Sequence, residues 1–264
     1  MKINTVKSKD GTSIAFETTG KGQPLILVGG AFCGRSAPTS GTPLAALLAH
    51  RFTVFSYDRR GRGQSDDASP HAIGREVEDL AALIAAAGGS AYVFGNSSGA
   101  FLALDGAVQG LAIPKLVLYE PPVILDKDRA KYFEGLSKEL DEAAAGNRRS
   151  DAVESYFTKV MQMPAPAVAQ MRKSPMWPGL EELAHTLSYD LLLTARGPLR
   201  LEEVTAVRSS TLVMNGGASP DWMREAIKTL ARAIPNARHR TLEGQTHAVD
   251  PKALAQAMEE FFEA

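Results

Sequence analysis

The sequence predicts an α/β protein, a mostly parallel, doubly wound sheet interrupted by a helical insertion. Three observations carry this. Short runs that are apolar at every residue recur and alternate with stretches of helical periodicity, the pattern of strands buried on both faces between helices. The alternation stops near residue 123 and resumes near residue 205. The stretch between shows helical patterns and Pro164, Pro166, Pro175 and Pro178, but no convincing strand. A chain of 264 residues suffices for one large domain with an insertion. The expected division is a core of residues 1–122 and 205–264 and a helical cap of residues 123–204.

The elements follow in order. Residues 3–6 and 13–16 are β-rich runs separated by Lys9-Asp10-Gly11-Thr12, and the Asp-Gly pair marks a hairpin turn. Pro24-Leu25-Ile26-Leu27-Val28 and Phe52-Thr53-Val54-Phe55-Ser56-Tyr57 are buried strands. They end at Gly29-Gly30 and at Asp58 with its glycine-rich loop. Val77, Leu80, Leu83 and Ile84 recur at helical spacing and stop at Gly88-Gly89. Tyr92-Val93-Phe94 is a strand, followed by an apolar helix over 101–108. Leu116-Val117-Leu118-Tyr119 is another, stopped by Glu120-Pro121-Pro122. After the insertion come a strand at Thr211-Leu212-Val213-Met214, a helix over 221–233, a strand near 239–242 and a helix over 251–262. In such sheets ligands sit at the carboxyl ends of the strands. Ser97, Glu120, the Gly29-Gly30 loop and the loop after Met214 all fall there.

Composition excludes several functions. The hydrophobic fraction is 44%, the charged fraction 22% and the formal net charge −1, so nothing draws the chain toward nucleic acid or a membrane surface. No run is long and apolar enough to span a bilayer, and residues 1–6 lack the apolar core of a secretory signal. Cys33 is the single cysteine, so no intrachain disulfide forms. The expected location is the cytoplasm. No metal cluster, dinucleotide fingerprint or phosphate loop is present, so no cofactor is expected. The expected partner is a small-molecule substrate, with the chain a monomer or homodimer.

Gly95-Asn96-Ser97-Ser98-Gly99 stands between a strand and a helix. In that context Gly-x-Ser-x-Gly is the sharp turn that exposes a nucleophilic serine, here Ser97, with glycines where side chains would collide. The bland alternative is a strand–helix turn with a capping serine. The order of Leu27-Val28-Gly29-Gly30-Ala31, Asp58-Arg59-Arg60-Gly61-Arg62-Gly63-Gln64-Ser65, the Ser97 motif and Gly244-Gln245-Thr246-His247 resembles the α/β-hydrolase superfamily over nearly the whole chain. The resemblance implies an α/β-hydrolase fold, with an oxyanion hole from the backbone N–H groups of Ala31 and Ser98. Gly29-Gly30 departs from the family's usual His-Gly, which removes a structural side chain but still allows a backbone donor at Ala31. The arginine-rich loop braces the strand ends in the family, and that structural role is expected here.

Among five histidines, His247 follows the last strand, where the family places its general base. His185, in the insertion, is the second choice; His50 and His71 read as surface or capping residues. The acid departs from the usual pattern. The loop after Met214 reads Asn215-Gly216-Gly217-Ala218-Ser219-Pro220-Asp221, with Ser219 at the usual aspartate position. Two carboxylates compete to replace it. Asp221 requires a register shift. Glu120, at the end of a buried strand, has the position that haloalkane dehalogenases and zearalenone-type lactonases use, and is preferred.

Phe32, Tyr156, Met161 and Trp177 are the expected substrate-lining residues, with Phe157, Met163 and Met176 as further candidates. Cys33 reads as a small apolar residue. An apolar cap argues for a small-to-medium hydrophobic acyl group. The leading expectation is a serine hydrolase of carboxylic esters or lactones. The alternatives are a C–C bond hydrolase or lyase on the same three residues, and a non-catalytic binding protein.

Overall fold

The computed structural model describes residues 2–195 and 201–264; positions 196–200 of the expected insertion lie outside the described residues. Eight strands form one sheet: β1 (Asn4–Lys7), β2 (Ser13–Thr19), β3 (Gln23–Val28), β4 (Phe52–Tyr57), β5 (Tyr92–Asn96), β6 (Lys115–Tyr119), β7 (Ser210–Gly216) and β8 (Ala237–Leu242). Their order is β1-β2-β4-β3-β5-β6-β7-β8. β1 and β2 form the expected hairpin, and β2 runs antiparallel to β4. All pairs from β4 through β8 are parallel.

Helices α1 (Thr42–Leu48), α2 (Ile73–Ala86) and α3 (Ser98–Val108) cross between strands of the first half, and α9 (Asp221–Ala233) and α10 (Pro251–Glu263) complete the second. The period-2 pleat sorts each apolar run onto two faces. Ile26, Val28, Val93, Leu116, Leu118 and Val213 pack with α2, α3 and α9. Leu25, Leu27, Phe94, Val117, Leu212 and Met214 pack with α1 and α10. A strand flanked by helices on both sides must be apolar throughout, which is why these strands read as continuous runs rather than alternations.

Between β6 and β7 the described elements are helical, chiefly α4 (Lys127–Ala145), α5 (Arg149–Ser155), α6 (Ala165–Met171), α7 (Trp177–Glu182) and α8 (Leu187–Ala195), with a π-helical turn at Tyr156–Val160. They enclose their own apolar cluster, including Phe133, Leu140, Tyr156, Phe157, Trp177 and Leu191. Ala31 and Phe32 of the core pack against it, so this layer sits over the strand ends. No described helix is long and apolar enough to cross a membrane.

Candidate active site

The chain leaves β5 at Ser97 with φ 55° and ψ −127°, a conformation L-residues adopt only when the surroundings impose it. The surroundings here are explicit. Ser97 N–H donates to the Tyr119 carbonyl at 2.9 Å, and Ala100 N–H donates to the Ser97 carbonyl at 2.9 Å as α3 begins. A Cβ on Gly99 would lie 2.4 Å from Val28 O, and one on Gly95 2.5 Å from Ala100 Cα. Glycine at both positions is therefore required for the turn to be this sharp.

One strand over, Glu120 follows β6 with φ 43°. Its N–H still donates to Met214 O at 3.0 Å, holding it against β7. Its side chain is fully buried. Oε1 accepts from the Gly216 N–H at 2.8 Å, and Oε2 lies 2.8 Å from His247 Nδ1. His247 Nε2 lies 3.2 Å from Ser97 Oγ. A carboxylate only accepts, so Nδ1 carries the proton and Nε2 presents its lone pair to the serine hydroxyl. Burial works against the Glu120 charge. Hydrogen bonds with His247 and Gly216 outweigh it and hold the carboxyl below its ordinary range. The Ser219 hydroxyl favours the charge too, from outside hydrogen-bond geometry. The loop carrying His247 is fixed by the buried Tyr119, whose hydroxyl donates to Thr246 O at 2.6 Å, and by Ala218 N–H to Gln245 O at 2.8 Å.

Ala31, Ser97 and Ser98 all line one cavity. Among the described residues neither the Ala31 nor the Ser98 N–H is given to another group. Ser98 opens α3, so its N–H also lies at the positive end of a helix dipole.

The cavity measures about 480 Å³. Phe32, Tyr156, Phe157, Met161 and Met176 all line it, as expected from sequence. Phe32 stacks on Phe157 at 5.0 Å and meets Tyr156 edge-on at 5.4 Å. The expectation for Trp177 is corrected: it faces the inserted helices' own core, its Nε1 donating to Ser150 Oγ at 2.8 Å. An indole N–H needs a partner when buried, and Ser150 supplies one away from the cavity. Met163 also packs into that core. The tryptophan at the cavity is Trp222, with the Arg129 guanidinium 4.4 Å over its ring. Burial pushes the Cys33 thiol up, which keeps it neutral.

The remaining candidates lie elsewhere. Asp221 is exposed and pairs with Arg224 on its own helix. His185 Nε2 meets the Gly61 carbonyl at 2.9 Å. His50 is exposed, but His71, expected as a surface or capping residue, has its ring buried against Glu76 and Tyr189. Sequence reasoning missed Tyr119, Trp222 and a buried carboxylate, Asp190, which contacts the Ser98 hydroxyl. A charged residue in the otherwise uncharged helix α8 was the available signal for the last.

Comparison with known proteins bears on the family and the fold. The chain is 48% identical to an alpha/beta hydrolase of known structure from Sphaerobacter thermophilus DSM 20745, over 98% of this chain and 100% of that one, with a TM-score of 0.88. It is 29% identical over 239 residues to 2-(acetamidomethylene)succinate hydrolase of Mesorhizobium japonicum, covering 84% of this chain and 82% of that protein. It is 28% identical over 154 residues to the uncharacterized hydrolase YraK of Bacillus subtilis, 54% of this chain and about half (53%) of that protein's length. An esterase from Thermogutta terrifontis (21% identity, 100% of this chain and 98% of that one, TM-score 0.73) shares the fold. So does the enol-lactonase from Burkholderia xenovorans LB400 (19%, 99% and 100%, TM-score 0.70). The model of the alpha/beta hydrolase family matches residues 25–262, nearly the whole chain, and on that match the protein belongs to the alpha/beta hydrolase family.

Proposed function

We propose that the protein is a serine hydrolase that cleaves a carboxylic ester or lactone of a small-to-medium hydrophobic substrate. The observation that carries this is the unbroken path from Ser97 Oγ through His247 to the buried Glu120, opening into an apolar cavity. His247 Nε2 takes the hydroxyl proton as Ser97 Oγ bonds to the substrate carbonyl carbon. The carbonyl π electrons move to oxygen, and the N–H groups of Ala31 and Ser98 receive that charge. Collapse breaks the C–O bond of the leaving alkoxide, which takes the proton from His247. Water, deprotonated by the same imidazole, then releases the acid and restores Ser97. Glu120 keeps the imidazole in the required tautomer and stabilises its charged form.

In this reading residues 123–204 act as a cap, with Phe32, Tyr156 and Met161 shaping the acyl site. A lining of aromatic and methionine side chains favours apolar acyl groups, and methionine adapts to irregular ones. The single cysteine fits a cytoplasmic protein. The test is a fluorophosphonate probe with mass mapping, followed by a panel of aryl esters, lactones and β-diketones. The reading requires one phosphonyl adduct on Ser97, none on Ser97→Ala, and turnover of esters or lactones. An unlabelled Ser97 overturns it in favour of a binding protein, and cleavage of β-diketones alone overturns it in favour of C–C chemistry.

A further inference from the structure

A buried charged network lies beneath the cavity, apart from the Ser97–His247–Glu120 path. At its centre is Asp190 on α8, whose side chain is 1% exposed. Its Oδ1 accepts from Ser98 Oγ at 2.6 Å and from Arg59 Nη1 at 2.7 Å, and its Oδ2 accepts from Arg62 Nη2 at 2.7 Å. Arg59 also grips Glu76 with two bonds of 2.6 and 2.7 Å. Glu76 in turn lies 3.0 Å from His71 Nε2, and the His71 ring stacks on Tyr189. The guanidinium charges of Arg59 and Arg62 are thus matched by the carboxylates of Asp190 and Glu76, as buried charges require. Replacing a buried ion cluster by well-packed apolar side chains is often neutral for stability.

The network is aimed at the peptide groups beside Ser97. Arg62 Nη1 donates to Gly30 O at 2.5 Å and to Cys33 O at 3.3 Å, and Arg59 Nη1 donates to Gly29 O at 3.3 Å. Gly30 O and the Ala31 N–H belong to one planar trans peptide, so turning the carbonyl toward Arg62 turns the N–H the opposite way. That peptide abuts the serine: a Cβ on Gly30 would lie 2.9 Å from Ser97 Cβ. On the other side, the hydroxyl of Ser98, whose N–H is the second donor, is bonded to the same carboxylate.

We propose that Asp190 is a positioning residue that sets both oxyanion donors at once, Ser98 N–H through the Ser98 hydroxyl and Ala31 N–H through Arg62 and the Gly30 carbonyl. This rests on Ser97 being the nucleophile. Because Asp190 belongs to the inserted helices, docking of that layer and alignment of the oxyanion site become a single event. Moving α8 off the core withdraws the carboxylate from Ser98 and Arg62 together.

The test compares wild type with Ser98→Ala, which keeps the N–H and removes only the hydroxyl, with Asp190→Asn, and with the double variant. Active sites are counted by fluorophosphonate titration, so misfolded protein does not enter the rates. Removing an oxyanion donor outright costs about 10²–10³ in kcat, so misaligning donors should cost less. The expected losses in kcat are about 3–10-fold for Ser98→Ala and about 30–300-fold for Asp190→Asn, with KM unchanged. An aryl trifluoromethyl ketone, which adds to the serine as a hemiketal oxyanion, should weaken in proportion to kcat/KM across the series. The product alcohol, which carries no oxyanion, should bind as before. The double variant should lose less than the product of the single losses. A purely structural role lowers the melting temperature and leaves kcat per titrated site and ketone affinity at wild-type values, and that result overturns the proposal. Ser98→Ala decides the matter even if Asp190→Asn fails to fold. A wild type that neither labels nor turns over removes the nucleophile and this proposal together, whereas active wild type with unaffected variants removes this proposal alone.

Discussion

Replacing Glu120 by glutamine exchanges one oxygen for an NH2 group in a site with no room for compromise. The carboxylate accepts from two donors, Gly216 N–H and His247 Nδ1–H, each at 2.8 Å, and water does not reach it. An amide has one acceptor oxygen for these two donors. If that oxygen faces Gly216, the NH2 faces His247, forces Nδ1 to accept, and places the ring proton on Nε2, where it cannot take the serine proton. If the oxygen faces His247, NH2 opposes the Gly216 N–H and leaves a buried donor unpaired, at about 1–3 kcal/mol. Either way the imidazolium loses its counter-charge. Loss of the right tautomer in a Ser-His-acid site costs about 10⁴ in kcat, so Glu120→Gln should fall by about 10³–10⁴, or about 4–5.5 kcal/mol of transition-state stabilisation. The assay is kcat and KM on an aryl ester, with circular dichroism and thermal melting on the same preparation. Asp221→Asn is the control, expected within about twofold because Asp221 is exposed and, among the described residues, engages Arg224 on its own helix. A folded Glu120→Gln protein turning over at near wild-type rate would refute the reasoning; so would a large loss confined to Asp221→Asn.

Further predictions follow from other contacts. Tyr119→Phe removes the bond to Thr246 O that fixes the His247 loop; it should lower stability by about 0.5–1.5 kcal/mol in a denaturant titration and reduce kcat more than it changes KM, and an unchanged kcat would exclude this positioning role. Phe32→Ala removes the ring wedged between Phe157 and Tyr156; the preference in an acyl-length series should move to longer chains, and an unaltered series would place the acyl site elsewhere. Acid stability tests the arginine network. Burial opposes the charges on Glu76 and Asp190, but Arg59 on the first and Arg62 with Arg59 on the second hold both carboxyls below the ordinary range. Their depressed native values mean that the unfolded chain binds more protons, so this stability is complete above the unfolded pKa of about 4 and is lost as pH falls through the native values. Glu76→Gln should cost about 3–5 kcal/mol at neutral pH by leaving the buried guanidinium charges of Arg59 and Arg62 to Asp190 alone. The gap from wild type should narrow in melts below about pH 4, and a gap that stays constant to pH 3 contradicts the assignment.

The sequence by itself determined the sheet, the elbow and the interruption. Short continuous apolar runs bounded by glycine and proline read as strands covered on both faces, and Gly95 and Gly99 around Ser97 admit one sharp strand–helix turn. These are local statements, written in periodicity and in residues with special backbone freedom. Local patterns also ranked Glu120 and Asp221 without bringing either to an imidazole. Only the parallel pairing of β6 with β7 put Glu120 against the Gly216 N–H and His247, while the first turn of α9 carried Asp221 out to solvent. The same holds for the side chains the pattern misassigned. Trp177 and Trp222 are equally apolar in sequence, and the packing of α7 and of the first turn of α9 decided which one meets the cavity. Asp190 stands 92 residues from the serine it contacts. A hydrogen bond depends on distance and direction across the fold, which a one-dimensional pattern does not carry; hydrophobic periodicity depends on neighbours along the chain, which it does.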